Sequence, residues 1–404
     1  MLSTSTSATI RRVFTQASKR YHHQNYNYKL VPRKFFSSER TLLSSPSPSP
    51  TTAAATNIIM TTAAFRHIDL SGLPADTKPW SKVDADASSY SRIEVTRPVA
   101  DLRGLLSAGT SPASPPSSAA AGFTTDSAGF SLLREPTSAT EATFLDDAAV
   151  RSAYYAEVEA LLRKHLPDGS NNGPATNGTT NGVHGNNNGT NGTKAGQKVS
   201  KVVIFDHTIR RRTPDSPRRP VQLVHVDQTA GAAAARVRRH VKDPAEAERL
   251  LQGRYQIVNV WRPIGRAASE FPLGVIDWRS TTPDDFVAVD LLYPKRGSVE
   301  DDDDRGKERV PDEETLRSPE GYEVRGETFG VRPSENHRFY YAKDMQPDEV
   351  LLLKCFDSFG EGQGPRGRDG VAVRTPHTAF VDPLTPPDAL PRQSIEVRCL
   401  VFYE

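Results

Sequence analysis

The chain has 404 residues, 36% of them hydrophobic, and its 51 Lys and Arg against 49 Asp and Glu leave a net charge of +2. The apolar share is below the globular norm and the Pro, Gly, Ser, Thr and Asn are gathered in blocks, so the folded part is smaller than the chain. Near-neutrality offers no footprint for nucleic acid or an anionic membrane, and no apolar run approaches the roughly 18 to 20 residues of a membrane span. A small-molecule substrate is the expected partner, with no nucleic acid and no membrane.

From the N-terminus, the first 38 residues carry seven Lys or Arg and no acid, with many Ser and Thr, which resembles a mitochondrial transit peptide. The competing reading makes Met60, followed by "TTAAFRHIDL", the true start. The protein is then expected in the cytoplasm, or in the mitochondrion if the basic segment is genuine. Residues 1–87 read as a disordered or targeting segment and 88–404 as one folded domain. Flexible insertions are expected at 107–129 (Ser/Pro/Ala), 169–198 (Asn/Gly/Thr) and 300–314 (acidic).

Between the first two insertions, Phe144–Leu166 places Val150, Tyr154, Val158, Leu161 and Leu162 at helical spacing and ends at Pro167-Asp168-Gly169, predicting an amphipathic helix. From Val199 the character changes to short β-branched and aromatic runs separated by turn residues, among them "KVVIFDHTIRR", "PVQLVHVDQT", "YQIVNVWRPI", "DEVLLLKCFDS" and "SIEVRCLVFYE". Such spacing predicts a mainly β (α+β) fold, a double-stranded β-helix or jelly roll with flanking helices. The two cysteines, Cys355 and Cys399, match no zinc spacing and form no disulfide framework; they read as buried small hydrophobes in a reducing compartment.

Within "PVQLVHVDQT", His225 and Asp227 are two apart and project from one strand face about 6.5 to 7 Å along the chain, so both reach one ion. A second imidazole from elsewhere completes a 2-His-1-carboxylate triad, which leaves adjacent iron positions open. The pattern H-x-D alone is weak: with ten histidines and acids at about one position in eight, a chance match is expected, and His67-Ile68-Asp69 is a second copy. The third ligand is placed at His377 in "TPHTAFVDP" rather than at His337, because Arg392 and Ser394 follow as R-x-S on the next strand. A guanidinium there takes a distal carboxylate as a bidentate pair, assisted by the hydroxyl, with Arg398 as the fallback clamp. Asn259, Trp261 and Arg262 are candidate substrate contacts, with core packing and a sheet-edge ion pair as the plain alternatives. Asp277 with Arg279, and Lys354 with Asp357, read as structural pairs.

The blocks "QLVHVDQT", "YQIVNVWRPI", "DWRS", "FYYAKDMQPDEVLLLKCFDS", "TPHTAFVDP" and "RQSIEVRCLVFYE" resemble a fungal non-haem iron hydroxylase/desaturase family. That family includes a gibberellin desaturase and an aspergillic-acid-pathway hydroxylase, and its relatives are often labelled cephalosporin methoxylation-type. The resemblance runs from about Ser88 to Glu404 outside the insertions. It implies an Fe(II)- and 2-oxoglutarate-dependent hydroxylase or desaturase that uses O2 on a secondary metabolite, with His225, Asp227 and His377 as metal ligands and Arg392, Ser394 or Arg398 toward the cosubstrate. Family members usually read H-N-D-Q-T; here Val226 stands at the second position, pointing away from the ligand face. Two further readings are a cupin-like isomerase or epimerase without 2-oxoglutarate, and a non-catalytic metabolite-binding relative.

Overall fold

The computed structural model describes residues 60–83, 85–106, 122–166, 198–212, 219–295 and 318–404. The transit-like segment, residues 107–121 of the first insertion, 169–197 of the second and the acidic block lie outside the described residues. The described strands, in chain order, are β1 (Met60–Asp69), β2 (Trp80–Lys82), β3 (Ser91–Asp101), β4 (Phe130–Arg134), β5 (Val199–Arg211), β6 (His225–Val226) and β7 (Tyr255–Pro263). They continue with β8 (Leu273–Ile276), β9 (Phe286–Pro294), β10 (Tyr322–Val331), β11 (Phe339–Tyr341), β12 (Glu349–Asp357), β13 (His377–Ala379) and β14 (Gln393–Tyr403). The helices are α1 (Arg103–Leu106), α2 (Asp147–Ala149), α3 (Tyr155–His165), α4 (Ala230–His240) and α5 (Pro244–Gln252).

Nine strands form one sheet in the order β1-β3-β11-β8-β13-β6-β10-β9-β2, and five form a second in the order β4-β12-β7-β14-β5. Leu132, Trp261, Leu351 and Leu353 of the smaller sheet share one core cluster with Leu273 and Val275 of the larger, so apolar side chains fill the space between the sheets. This is the jelly-roll architecture with flanking helices that the strand runs predict.

The central strand β7 is buried at every position, its polar Gln256, Asn259 and Arg262 included. Its Val258 and Val260 pack with Val158, Leu161 and Leu162 of α3, while Ile257, one position out of phase, packs with Val237, Leu250 and Leu251 of α4 and α5. Each of those α3 side chains contributes roughly 1.5–3 kcal/mol by leaving water. The predicted helix is present, entered through α2, with Asp146 capping Ala148 N, and through a π turn at Val150–Tyr154.

Three expectations are corrected. Residues 60–82 are not a disordered leader: β1 pairs with β3 from Met60↔Ala100 to Asp69↔Ser91, burying Ala63, Phe65 and His67 on alternate positions. The alternation in "MTTAAFRHID" is carried largely by Thr and Ala, so its apolar contrast is low. Phe123 and Ala128, inside the expected 107–129 insertion, are buried. Finally, "PVQLVHVDQT" is strand only at β6: Val224 N donates to Arg66 O of β1, and Thr229 already caps α4 through its Oγ1 to Ala232 N. Neither α4 nor α5 was read from the sequence, although Thr229 and the Asp243-Pro244 start of α5 are recognisable helix openings.

His67 lies 1% exposed, its Nδ1 donating to Val331 O at 3.1 Å. Burial, with His337 and Arg97 nearby, outweighs that bond and lowers its pKa to about 4. The folded pKa lies below the unfolded value near 6.5, so the contribution is whole above pH 6.5 and is lost as pH falls toward 4, a difference of about 3 kcal/mol. Urea unfolding of the wild-type protein and His67→Gln at pH 7.5 and 4.5 checks this, and the variant is expected to lose less stability between the two.

Candidate metal centre

The antiparallel pairing of β13 with β6 sets His377 opposite His225. Their rings lie 4.5 Å apart between centroids, at 53°. Asp227 follows two residues after His225 on the same side, and its Oδ1 stands 3.4 Å from His225 Nε2 and 3.9 Å from His377 Nε2. One ligand-capable atom from each residue lies within 4.8 Å of the other two.

Both imidazoles are oriented in the same manner. His225 Nδ1 donates to Leu223 O at 2.7 Å and His377 Nδ1 to Thr375 O at 3.0 Å. Because a carbonyl can only accept, each neutral ring carries its proton on Nδ1 and turns the lone pair of Nε2 inward. Two such nitrogens and a carboxylate oxygen around one point form a donor set suited to a divalent transition metal. Burial pushes the Asp227 carboxyl up, but Arg398 and the two imidazoles overcome it and hold it well below the usual range. Burial lowers His225 while Asp227 raises it, with a net rise; burial and the charge of His225 leave His377 lowered.

The three residues line a small cavity, about 30 Å3, that is also lined by Trp261, Arg392, Ser394, Glu396 and Arg398. Ser394, Glu396 and Arg398 alternate along β14, as residues two apart on a strand share a face, and Arg392 immediately precedes the strand at the same spacing. Arg392 is 2% exposed and has no carboxylate partner among the described residues; its Nη1 donates to Phe271 O, its Nε is buried without a partner, and its guanidinium lies 5.6 Å over the Trp261 ring. Burial, with Arg210 close by, pulls its pKa down to about 9. A buried cation with open N–H groups beside the triad suits an anionic ligand.

The other candidates divide by strand phase. Trp261 lines the cavity. Asn259, on the same face, does not: its Nδ2 donates to Asp227 Oδ2 at 2.7 Å, so it supports the carboxylate instead of meeting substrate. Arg262 is corrected outright, because its odd step from Trp261 turns it to the helix side, where Nε meets Tyr154 Oη at 3.0 Å and Nη1 meets Glu135 O and Pro347 O at 2.7 Å. Arg398 lines the cavity but is not free to serve as a clamp: it holds Asp227 and is itself held by Asp206, Thr208 and Glu396. Asp206 and Thr208 went unread, although "IFDHT" carries both at period two. The second H-x-D is structural, with Asp69 accepting from Ser71 N at 2.9 Å, and His337 sits beside Asp285 at 3.2 Å. Asp277 pairs with Arg279 at 2.8 Å and Lys354 with Asp357 at 2.7 Å, both as internal ion pairs.

Fold and site together define a double-stranded β-helix protein with an H-x-D…H constellation at its centre. A family profile described as an oxidoreductase/YMDC permease-like domain matches residues 116–171 and 191–402. The chain is 38% identical over 162 residues to hydroxylase/desaturase asaB of Aspergillus flavus, covering 39% of this chain and 60% of that one. It is 30% identical over 287 residues to hydroxylase/desaturase CTB9 of Cercospora beticola, covering 70% of this chain and 72% of the other. The chain belongs to this oxidoreductase-like family and is similar to fungal proteins named hydroxylase/desaturase. Its alignment spans about three fifths of the length of the Aspergillus flavus relative. In fold it resembles the iron and alpha-ketoglutarate-dependent endoperoxidase NvfI, with a TM-score of 0.60, 23% identity, and coverage of 85% of this chain and 97% of that one.

Gly129 lets the segment that carries Thr375 lie against β4. Its φ is +88°, and a Cβ there would overlap Thr375 Oγ1 and stand 2.8 Å from Arg374 O. Gly129→Ala is therefore expected to cost more than about 1 kcal/mol in chemical denaturation and, by shifting the carbonyl that orients His377, to weaken divalent-metal uptake measured by titration.

Proposed function

We propose that the chain is an Fe(II)- and 2-oxoglutarate-dependent hydroxylase or desaturase acting on a small-molecule secondary metabolite, through one oxygenase domain running from Met60 to Glu404. The observation that carries this reading is the convergence of ligand atoms of His225, His377 and Asp227 within 4.8 Å of one another, in a cavity shared with Arg392, whose buried Nε has no partner among the described residues. The relatives' names, among them an Fe(II)/2-oxoglutarate-dependent dioxygenase of Aspergillus novofumigatus at 28% identity, support it.

In this reading His225, Asp227 and His377 hold Fe(II), and Arg392, with Ser394 beside it, receives the distal carboxylate of 2-oxoglutarate. Fe(II) with O2 and 2-oxoglutarate supplies oxidation of an unactivated C–H bond, releasing succinate and CO2. The protein supplies orientation and dryness. Leu223 and Thr375 fix the ring tautomers, Trp261 forms an apolar wall, and the buried guanidinium offers its N–H groups where little water competes. Both cysteines are free and buried, and no described helix is long and apolar enough to cross a membrane. The cytoplasm is the proposed location, or the mitochondrion if the basic N-terminal segment acts as a signal.

His225→Ala and His377→Ala are expected to abolish O2-dependent succinate formation, and retention of full turnover in either would overturn the reading. Arg392→Gln removes a charge-assisted pair worth about 1.5–3 kcal/mol, which should raise KM for 2-oxoglutarate about 10- to 100-fold with little change in metal affinity. Because Asp227 holds the pKa of His225 above 6.5, metal must displace a proton near neutrality. Apparent Fe(II) affinity should rise by up to about tenfold per pH unit until His225 is neutral and then level off.

A further inference from the structure

Asp227 offers its two oxygens to different environments. Oδ1 faces the imidazoles, whereas Oδ2 accepts Asn259 Nδ2 at 2.7 Å and Arg398 Nε at 3.1 Å. These donors come from neighbouring strands in register, Arg398 lying opposite Asn259 in the β14–β7 ladder. Arg398 is in turn immobilised: Nη1 donates to Asp206 Oδ1 and Thr208 Oγ1, both at 3.1 Å, and Nη2 to Glu396 Oε1 at 2.7 Å. Four of the five guanidinium N–H groups are thereby committed. A bidentate pairing with a further carboxylate needs two, so Arg398 has no room for a cosubstrate without releasing one of these partners.

We propose that Arg398 is a positioning residue which, with Asn259, occupies Asp227 Oδ2 and so restricts Asp227 to a single-oxygen metal ligand, leaving the cosubstrate carboxylate to Arg392. The inference rests on the Fe(II) reading above. Its physical content lies in the number of positions left open. Two imidazoles and one oxygen use three of six octahedral positions, whereas a chelating carboxylate would use a fourth and leave too few for a bidentate cosubstrate together with O2. Chelation by Asp227 would require Oδ2 to give up two N–H donors, one of them cationic, in a site largely shut off from water. The acids Asp206 and Glu396 keep the guanidinium from turning toward the cavity and balance its charge. Among the described residues the fully buried Asn259 has only its amide nitrogen engaged, its Oδ1 having no partner there, which fits a residue kept for one donor.

The test is Co(II) titration of the purified full chain, followed by the visible d–d bands, together with KM for 2-oxoglutarate at saturating Fe(II). Arg398→Lys, Arg398→Leu, Asn259→Leu and Arg392→Gln are compared with wild type. For the Arg398 variants the expected result is a Co(II) Kd raised about 10- to 100-fold, altered band intensity from a changed coordination number, and a KM within about threefold of wild type. Arg398→Lys is expected to recover part of the loss. Asn259→Leu is expected to shift in the same direction and keeps the test alive if Arg398→Leu does not fold. Arg392→Gln should show the opposite split. Unchanged Co(II) affinity and spectrum with a raised KM in the Arg398 variants would overturn the proposal and return Arg398 to the cosubstrate. If wild-type protein takes up no Co(II), the Fe(II) reading fails and takes this inference with it; if wild type binds and Arg398 is indifferent, only the inference fails.

Discussion

The centre depends on a single backbone register, the pairing that sets His377 opposite His225. The strands that carry it are short, two residues in β6 and three in β13, so the ladder between them supplies little on its own. It is held from both flanks: His225 also lies opposite Gly330 of β10, and His377 opposite Val275 of β8. A slip of one residue would turn an imidazole to the wrong face, since the side-chain period of a strand is two. Gly330 has a further part in this, because Ile68 of β1 passes where its Cβ would be, 2.8 Å from Ile68 Cδ1. The N-terminal strand thus packs directly over the strand that fixes His225.

Buried charge is handled in two opposite ways in this fold. Near the start of β7, Arg254 and Lys354 meet Asp357 and Asp126 at 2.6 to 2.8 Å, and Gln256 donates to Asp357 Oδ2 at 2.8 Å, so every charge has a partner. Such a closed network ties strand ends together and leaves nothing to offer a ligand. Arg392 is equally buried and has no carboxylate partner among the described residues. Arg398 falls in the closed class, held by Asp227, Asp206, Thr208 and Glu396.

The parts of the fold that were legible are those where local pattern and tertiary environment agree. The α3 helix and the strands β5, β7, β12 and β14 are long enough for their periodicity to stand out. The strand β1 was missed because Thr and Ala give a weak signal and because compositional bias nearby looks like disorder. The ten-residue strand read at Pro220–Thr229 was too generous, since a capping Thr229 and a pairing with β1 interrupt it. At the site, Arg262 was misplaced for a reason that period-two counting could have exposed: it is one step from Trp261, and only one of the two can face the cavity.

By itself the sequence determined the donor types and their local spacing: an imidazole and a carboxylate two residues apart, His377 as the later histidine, and Arg392, Ser394 and Arg398 close after it. These follow from covalent order and from the geometry of an extended chain, which any local reading can use. Only the tertiary structure decided that β13 pairs with β6 so that His377 lies opposite His225, that Asn259 and Arg398 hold Asp227, and that Arg392 has no carboxylate partner among the described residues. Each of those outcomes joins residues far apart in the chain, so it is set by strand order and register across two sheets, which no local spacing specifies.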